Sequence, residues 1–257
     1  MKLGFMNLMT TENIIDDIDF TIENNFNAFE IDLDWEQNWN LRLETLKEIR
    51  EKSESNNIHL NVHTPWFLPT AAIFPKIRNT VIKALKRGVI LAKKVHSHQI
   101  TVHPGYSESP IKEKNYQALI KTMREVVKFG KSNDVMIGLE NNAIPDYPCF
   151  YVDDLLRVVN SIEGLRITLD LGHVNITRTP FKEYYKKIKD FVIDVHVHDN
   201  DSTSDQHRCV GDGSVNFNSV LKEFKKNNYR GPFILEIFPY ENVIRGKKRF
   251  LKIWNSV

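Results

Sequence analysis

Cysteine is scarce. The 257 residues contain two, Cys149 and Cys209, and no C-x-x-C spacing. That excludes a disulfide scaffold and is simplest to reconcile with a reducing, cytoplasmic setting. Long apolar runs are missing as well. No segment approaches the ~18 residues that crossing a bilayer needs, so no membrane partner is expected. The opening residues MKLGFMNLMTTEN turn polar too soon for a signal peptide. An excess of one charge is also absent: 35 Lys and Arg face 33 Asp and Glu, a formal net charge of +2. Such a balance exerts little pull toward nucleic acid or membrane. The basic stretches 182–189 and 245–249 read as solvated helix faces. Low-complexity tracts and sequence repeats are not found. What is present is a hydrophobic fraction of 41%, enough for a full core. The length suits one α/β barrel or two small domains.

Short β-rich runs alternate with longer amphipathic ones. Strands are expected at 3–6, 28–33, 58–64, 99–105, 135–141, 165–173, 193–200 and 231–238. Helices are expected between them, near 11–25, 43–55, 75–96, 111–132, 152–162, 180–191 and 217–228, with a last one near 243–254. Thr11 is a candidate N-cap for the first, and Pro180 stands at a first helical position. Alternation of this kind implies parallel strands joined by crossover helices. Eight units filling residues 1–257 predict a single-domain (β/α)8 TIM barrel; an open doubly wound sheet is the competitor.

Barrel enzymes build their sites at the C-terminal ends of their strands. Strand three ends in His63, strand four in His103 and strand five in Glu140. Strand six ends in Asp170, with His173 three residues on. Strand seven carries His196 and His198, and strand eight carries Glu236. The loop after strand seven adds Asp205 and His207. A lone histidine at a strand end is usually a hydrogen-bonded structural residue. Closure, however, brings all these ends around one axis, where bare carboxylates would repel one another. A divalent cation relieves this, and imidazole with carboxylate suits Zn²⁺, Mn²⁺ or Co²⁺. His59, His96 and His98 fall at the opposite end and are expected to be structural. Asp194 and Asp201 are expected at the surface, and Asp199 as a supporting residue.

The motifs VHTPW (62–66), VHPG (102–105), GLEN (138–141), LDLGH (169–173), HVHDN (196–200), DQHRCVGDG (205–213) and LEIF (235–238) together resemble the xylose isomerase-like TIM-barrel superfamily. This groups sugar and sugar-phosphate isomerases and epimerases with endonuclease IV (AP endonuclease family 2). The likeness spans essentially the whole chain. Likeness to the ketose 3-epimerases implies one Mn²⁺ or Co²⁺ held by Glu140, Asp170, His196 and Glu236. The two glutamates would act as acid and base beside a carbonyl, and His173 would lie near substrate oxygens. Likeness to endonuclease IV implies a larger set for up to three Zn²⁺: His63, His103, Glu140, Asp170, His173, His196, Asp205, His207 and Glu236. There, water activated by the metals would attack a phosphodiester at an abasic site in DNA.

His207 departs from the epimerases, which usually carry arginine nearby. MNLMTTEN departs from the nuclease, which has a His-x-Ser motif followed by glycines at that place. The segment PTAAIF also replaces the Asn-Leu-Gly stretch of the nuclease. The expected function is therefore metal-dependent isomerase or epimerase chemistry on a sugar or sugar phosphate. The alternatives are an endonuclease IV-like enzyme, with DNA as partner, and a non-catalytic metal-binding barrel. Trp66 is a candidate substrate contact in either branch. His198 is a candidate for substrate or supporting contact. Glu30 shares a strand face with Asp32 and is a candidate inward residue that reaches substrate. The GDG of 211–213 lacks the Lys-Ser/Thr of a phosphate loop and reads as a tight turn.

Overall fold

In the computed structural model, residues 1–7 and 13–257 are described. Eight strands close in chain order into one parallel barrel. They are β1 (Lys2–Met6), β2 (Ala28–Asp32), β3 (His59–His63), β4 (Gln99–Val102), β5 (Met136–Glu140), β6 (Leu165–Asp170), β7 (Val192–Val197) and β8 (Pro232–Leu235). The helices are α1 (Ile14–Glu23), α2 (Glu36–Trp39), α3 (Leu43–Ser55), α4 (Pro75–Lys94), α5 (Lys112–Lys131), α6 (Val152–Asn160), α7 (Leu171–Ile176), α8 (Phe181–Ile188), α9 (Phe217–Lys226) and α10 (Val243–Ser256). This is the expected (β/α)8 barrel, with two short helices, α2 and α7, that periodicity did not announce. No helix among the described residues is long and apolar enough to cross a membrane.

Alternation decides what each strand residue faces. Outward residues make the greasy layer under the helices. Phe5 of β1 meets Phe20, Phe26, Phe29 and Tyr240 with ring centroids 5.0–5.9 Å apart. The inward face is unusual, because barrel interiors are mostly filled with branched apolar side chains. Here it holds Glu30, Asn61, Thr101, Thr168, Asp194 and His196, each at most 1% exposed.

Several local outcomes differ from the sequence expectation. Thr11, the expected first cap, lies outside the described residues; α1 begins at Ile14, with the Asn13 side chain accepting from the Ile15 N–H at 3.1 Å. Strand six stops at Asp170 rather than running to 173, because the Asp170 carboxylate caps α7 by accepting from the His173 N–H at 2.6 Å. Asp194, expected at the surface, is buried. It shares parity with His196 and pairs across to Thr168, past a register shift in the β6–β7 ladder.

Candidate metal centre

The strand ends meet at the C-terminal mouth of the barrel around a cavity of about 280 Å³. His63, His103, Glu140, His173, Asp205, His207 and Glu236 line it. Asp170 and His196 lie immediately beneath, fully buried. All nine residues of the larger expected ligand set are thus brought together, from strands or loops up to 173 positions apart in sequence (63 to 236).

The donors form two adjoining groups. In one, Glu140 Oε2 lies 2.8 Å from His103 Nε2 and 3.6 Å from His63 Nε2. Its Oε1 lies 3.1 Å from His196 Nδ1, and that nitrogen is also 3.0 Å from Glu236 Oε1. In the other, Asp205 Oδ2 is 3.2 Å from both His173 Nε2 and His207 Nε2. His198 Nε2 there lies 3.1 Å from Asp170 Oδ1. Glu140 joins the groups, with Oε1 3.7 Å from His173 Nδ1.

Which ring nitrogen points inward is fixed from behind. His173 Nδ1 sits 2.7 Å from the Asn141 carbonyl oxygen, and His207 Nδ1 sits 3.0 Å from that of Glu236. A carbonyl can only accept, so both Nδ1 atoms carry a hydrogen, and Nε2 is the nitrogen aimed at the centre, where it meets the Asp205 carboxylate and is the atom a cation would take. Gly172 permits the tight packing beneath, since a Cβ there would collide with the His198 ring. In the loop above, Asp199 accepts from the N–H groups of Gly211, Gly213 and Val215 at 2.9–3.0 Å. The GDG stretch is therefore a turn wrapped around Asp199, with Gly211 at φ +82°.

Electrostatics follow from crowding. Burial alone would raise the Glu140 carboxyl, but His103 and His196 hold it well below its ordinary range. Burial likewise opposes ionisation of Glu236, and His196 brings it down to about 2. Burial works against protonation of His63; Glu140, Glu30 and Asp32 hold it up to about 10. His207, buried beside Asp205, is raised to about 9.

The residues fit a divalent cation. Glu140 Oε2, Asp170 Oδ2, Glu236 Oε1 and His198 Nε2 are buried without a hydrogen-bond partner, although opposite charges lie close by. Such atoms are costly unless something accepts their lone pairs. His63, His103 and Glu140 have ligand atoms within 4.8 Å of one another, as do Asp170, His173 and His198.

Of the expected substrate contacts, Trp66 lines the cavity and is 50% exposed. Glu30 and His198 do not line it. Glu30 lies one pleat deeper than Asp32 on β2, under His196. His198 is covered by His207, whose ring stacks on it at 4.1 Å. Four lining residues were not singled out from sequence: Asp32 for this role, Asp34, Met6 and Phe238. Asp32 closes strand two as His63 closes strand three, so the same strand-end rule points to it. Burial drives its carboxyl up to about 7 against the pull of His63. Asp34 accepts from the Trp66 N–H at 3.1 Å and so anchors the VHTPW turn. Met6 and Phe238 carry no chemical signal of their own.

The chain matches the family model described as xylose isomerase-like TIM barrel over residues 18–254, and belongs to that family. It is 29% identical to the uncharacterised protein MJ1311 of Methanocaldococcus jannaschii, over all of this chain and 91% of that one. It is 23% identical to a probable endonuclease 4 of Acholeplasma laidlawii, over 76% of this chain and 71% of that one. Among solved structures it is similar to a D-tagatose 3-epimerase-like protein: TM-score 0.90, 27% identity, covering 100% and 99% of the two chains. It also shares its fold with a 3-keto-D-glucoside 4-epimerase of E. coli: TM-score 0.82, 17% identity, 99% of each chain.

Proposed function

We propose that this chain is a divalent-metal-dependent isomerase or epimerase acting on a sugar or sugar phosphate in the cytoplasm. The observation that carries the reading is the pair Glu140 and Glu236. Both are buried at the base of a small cavity, and each has an oxygen within 3.1 Å of the same His196 nitrogen. Both favour the ionised form at neutral pH. Ionised, either can take a proton from a carbon beside a carbonyl and, so protonated, return it to the substrate; return from the opposite glutamate follows once that one has taken a proton from solvent. Glu140, Asp170, His196 and Glu236 would hold the cation, with Zn²⁺, Mn²⁺ or Co²⁺ suited to the donor set. When bound, the cation supplies Lewis-acid polarisation of the substrate oxygens. His173, with Nε2 directed inward, would hold a substrate oxygen in place. Trp66 would cover the apolar face of the sugar, and its exposure leaves that side of the mouth open to a ligand. The cavity volume is near the small end of small-molecule sites, about 300–1,000 Å³. Both cysteines are free and buried, as suits a reducing compartment.

A second reading is favoured by one observation. Asp205 is held between His173 and His207, an arrangement able to take further cations and so up to three in all. That supports phosphodiester hydrolysis at abasic sites, with DNA as the partner.

The test is incubation of metal-loaded protein with a panel of ketoses and their phosphates in deuterated water, with an abasic duplex in parallel. Deuterium entering one sugar supports the isomerase reading. Incision of the duplex with no exchange in any sugar would sink it in favour of the second.

A further inference from the structure

Glu30 is a carboxylate with no exposure, set inside a parallel barrel where apolar residues are the rule. Burying such a group is expensive unless a partner compensates. One oxygen has a weak partner: Thr101 Oγ1 donates to Oε1 at 3.4 Å, and Thr101 in turn meets Thr168 Oγ1 at 2.9 Å. The other oxygen, Oε2, lies 3.1 Å from His196 Nε2. Neither Oε2 nor Nε2 forms a hydrogen bond, so the two buried atoms face one another as an ion pair with the N–H off the line of contact.

The opposite nitrogen of the same ring faces the site, 3.1 Å from Glu140 and 3.0 Å from Glu236. His196 is thus clamped at both ends. It is also reversed relative to its neighbours. His173 and His207 turn Nε2 inward and rest Nδ1 on main-chain carbonyls. His196 turns Nδ1 inward and rests Nε2 on a carboxylate.

We propose that Glu30 is a positioning residue for the metal centre: its charge, 3.1 Å from Nε2, keeps the proton of His196 on that nitrogen and so presents Nδ1 as the metal-ligating lone pair. This rests on the reading of His196 as a ligand. A carboxylate does more here than a carbonyl would. It fixes the tautomer, fixes the ring plane and makes the ligating nitrogen more basic. The backbone supports the placement, because β2 is paired on both sides, with Met6 and Asn61 in register with Glu30. A cation between Glu30, Asp194 and His196 is the competing use of these atoms. Asp194, however, already accepts from the Asn61 and Gln99 side chains and the Val195 N–H. Too few donors are left for a coordination shell.

The experiment is zinc titration of the metal-stripped full chain against a chromophoric chelator, with ¹H–¹⁵N spectra of the histidine side chains. Wild type is compared with Glu30→Gln, Glu30→Leu and His196→Ala. Glu30→Gln keeps an acceptor of the same shape and should weaken zinc about tenfold; Glu30→Leu removes it and should cost about a hundredfold. The Nε2–H proton of zinc-loaded wild type should resonate far downfield, move upfield in Glu30→Gln and move further in Glu30→Leu. Melting of the metal-free variants verifies folding, and the isosteric Gln variant serves if Leu does not fold. Wild-type zinc affinity and an unmoved Nε2–H signal in folded Glu30→Gln overturn the proposal. If His196→Ala loses zinc in that case, the ligand reading survives. If His196→Ala also keeps wild-type affinity, both fall.

Discussion

Asp194, in the lower half of the barrel, is as deeply buried as Glu140 at the upper end, at 1% exposure each. The two carboxylates are nevertheless treated in opposite ways. Asp194 accepts hydrogen bonds from Asn61, Gln99 and the Val195 N–H. Burial, with Glu30 beside it, drives its carboxyl well above the ordinary range, against His196 and the Val195 N–H. Glu140 has an oxygen with no hydrogen-bond partner, and imidazoles hold it ionised despite its burial. A buried carboxylate is therefore not in itself a sign of a site. The sign is a carboxylate kept charged, close to other donors and with an oxygen left without a hydrogen bond. The lower end spends its polar groups on one another; the upper end leaves several available to something from outside.

Breaking the upper end should have the larger effect. Glu236→Gln removes a proposed acid–base group and a ligand together, and should lower deuterium exchange by about 10³-fold while melting changes little. A variant retaining more than a tenth of the activity contradicts the assignment. The lower end should respond in the opposite currency. Asp194→Ala strands the Asn61 and Gln99 donors and should cost about 2–4 kcal/mol of stability. Exchange per folded molecule should stay within a few-fold, and a collapse of exchange without loss of melting temperature would erase the distinction between the two ends.

Finer cuts sharpen the contrast. Under the single-cation reading His207→Ala should leave the metal inventory unchanged and lower sugar exchange by less than tenfold, about 1.4 kcal/mol; loss of an ion would favour the second reading. A loss as deep as that of Glu236→Gln would mean that the Asp205–His207 group works in the isomerase step itself. The smallest effect is expected from His59, at the bottom of the barrel. Burial, with the Lys2 ammonium 3.0 Å away, lowers its pKa from 6.5 to about 4. Because the folded value lies below the unfolded one, this contribution to stability is present above pH 6.5 and is lost as pH falls toward 4. Between pH 7 and 5.5 the loss should be about 1 kcal/mol. Melting curves of His59→Gln should therefore show a shallower acid slope than wild type, and parallel slopes would refute the idea.

Much of the fold was legible because the period-two and helical patterns alternate without interruption. The strand ends were also legible, since a polar residue closing an apolar run is a local signal. Legibility failed where a local competitor intervened. Asp170 reads as a strand end, but its carboxylate also caps α7 and so ends strand six three residues early. Asp194 reads as surface because it is charged, although its parity with His196 turns it inward. Glu30 reads as inward, correctly, but its depth below the cavity depends on how β2 is staggered against β3.

By itself, the sequence determined the order of strand–helix units and the residue type closing each strand, since both follow from short-range periodicity. Only the tertiary structure decided how those residues are used. Closing the barrel brought His63 and Glu236 into one cavity. It also set which nitrogen of each imidazole faces the centre, through partners such as the Asn141 carbonyl and Glu30 that distant parts of the chain supply. No local pattern encodes that choice, because a ring nitrogen is selected by the acceptor behind it, and that acceptor arrives only when the chain has folded.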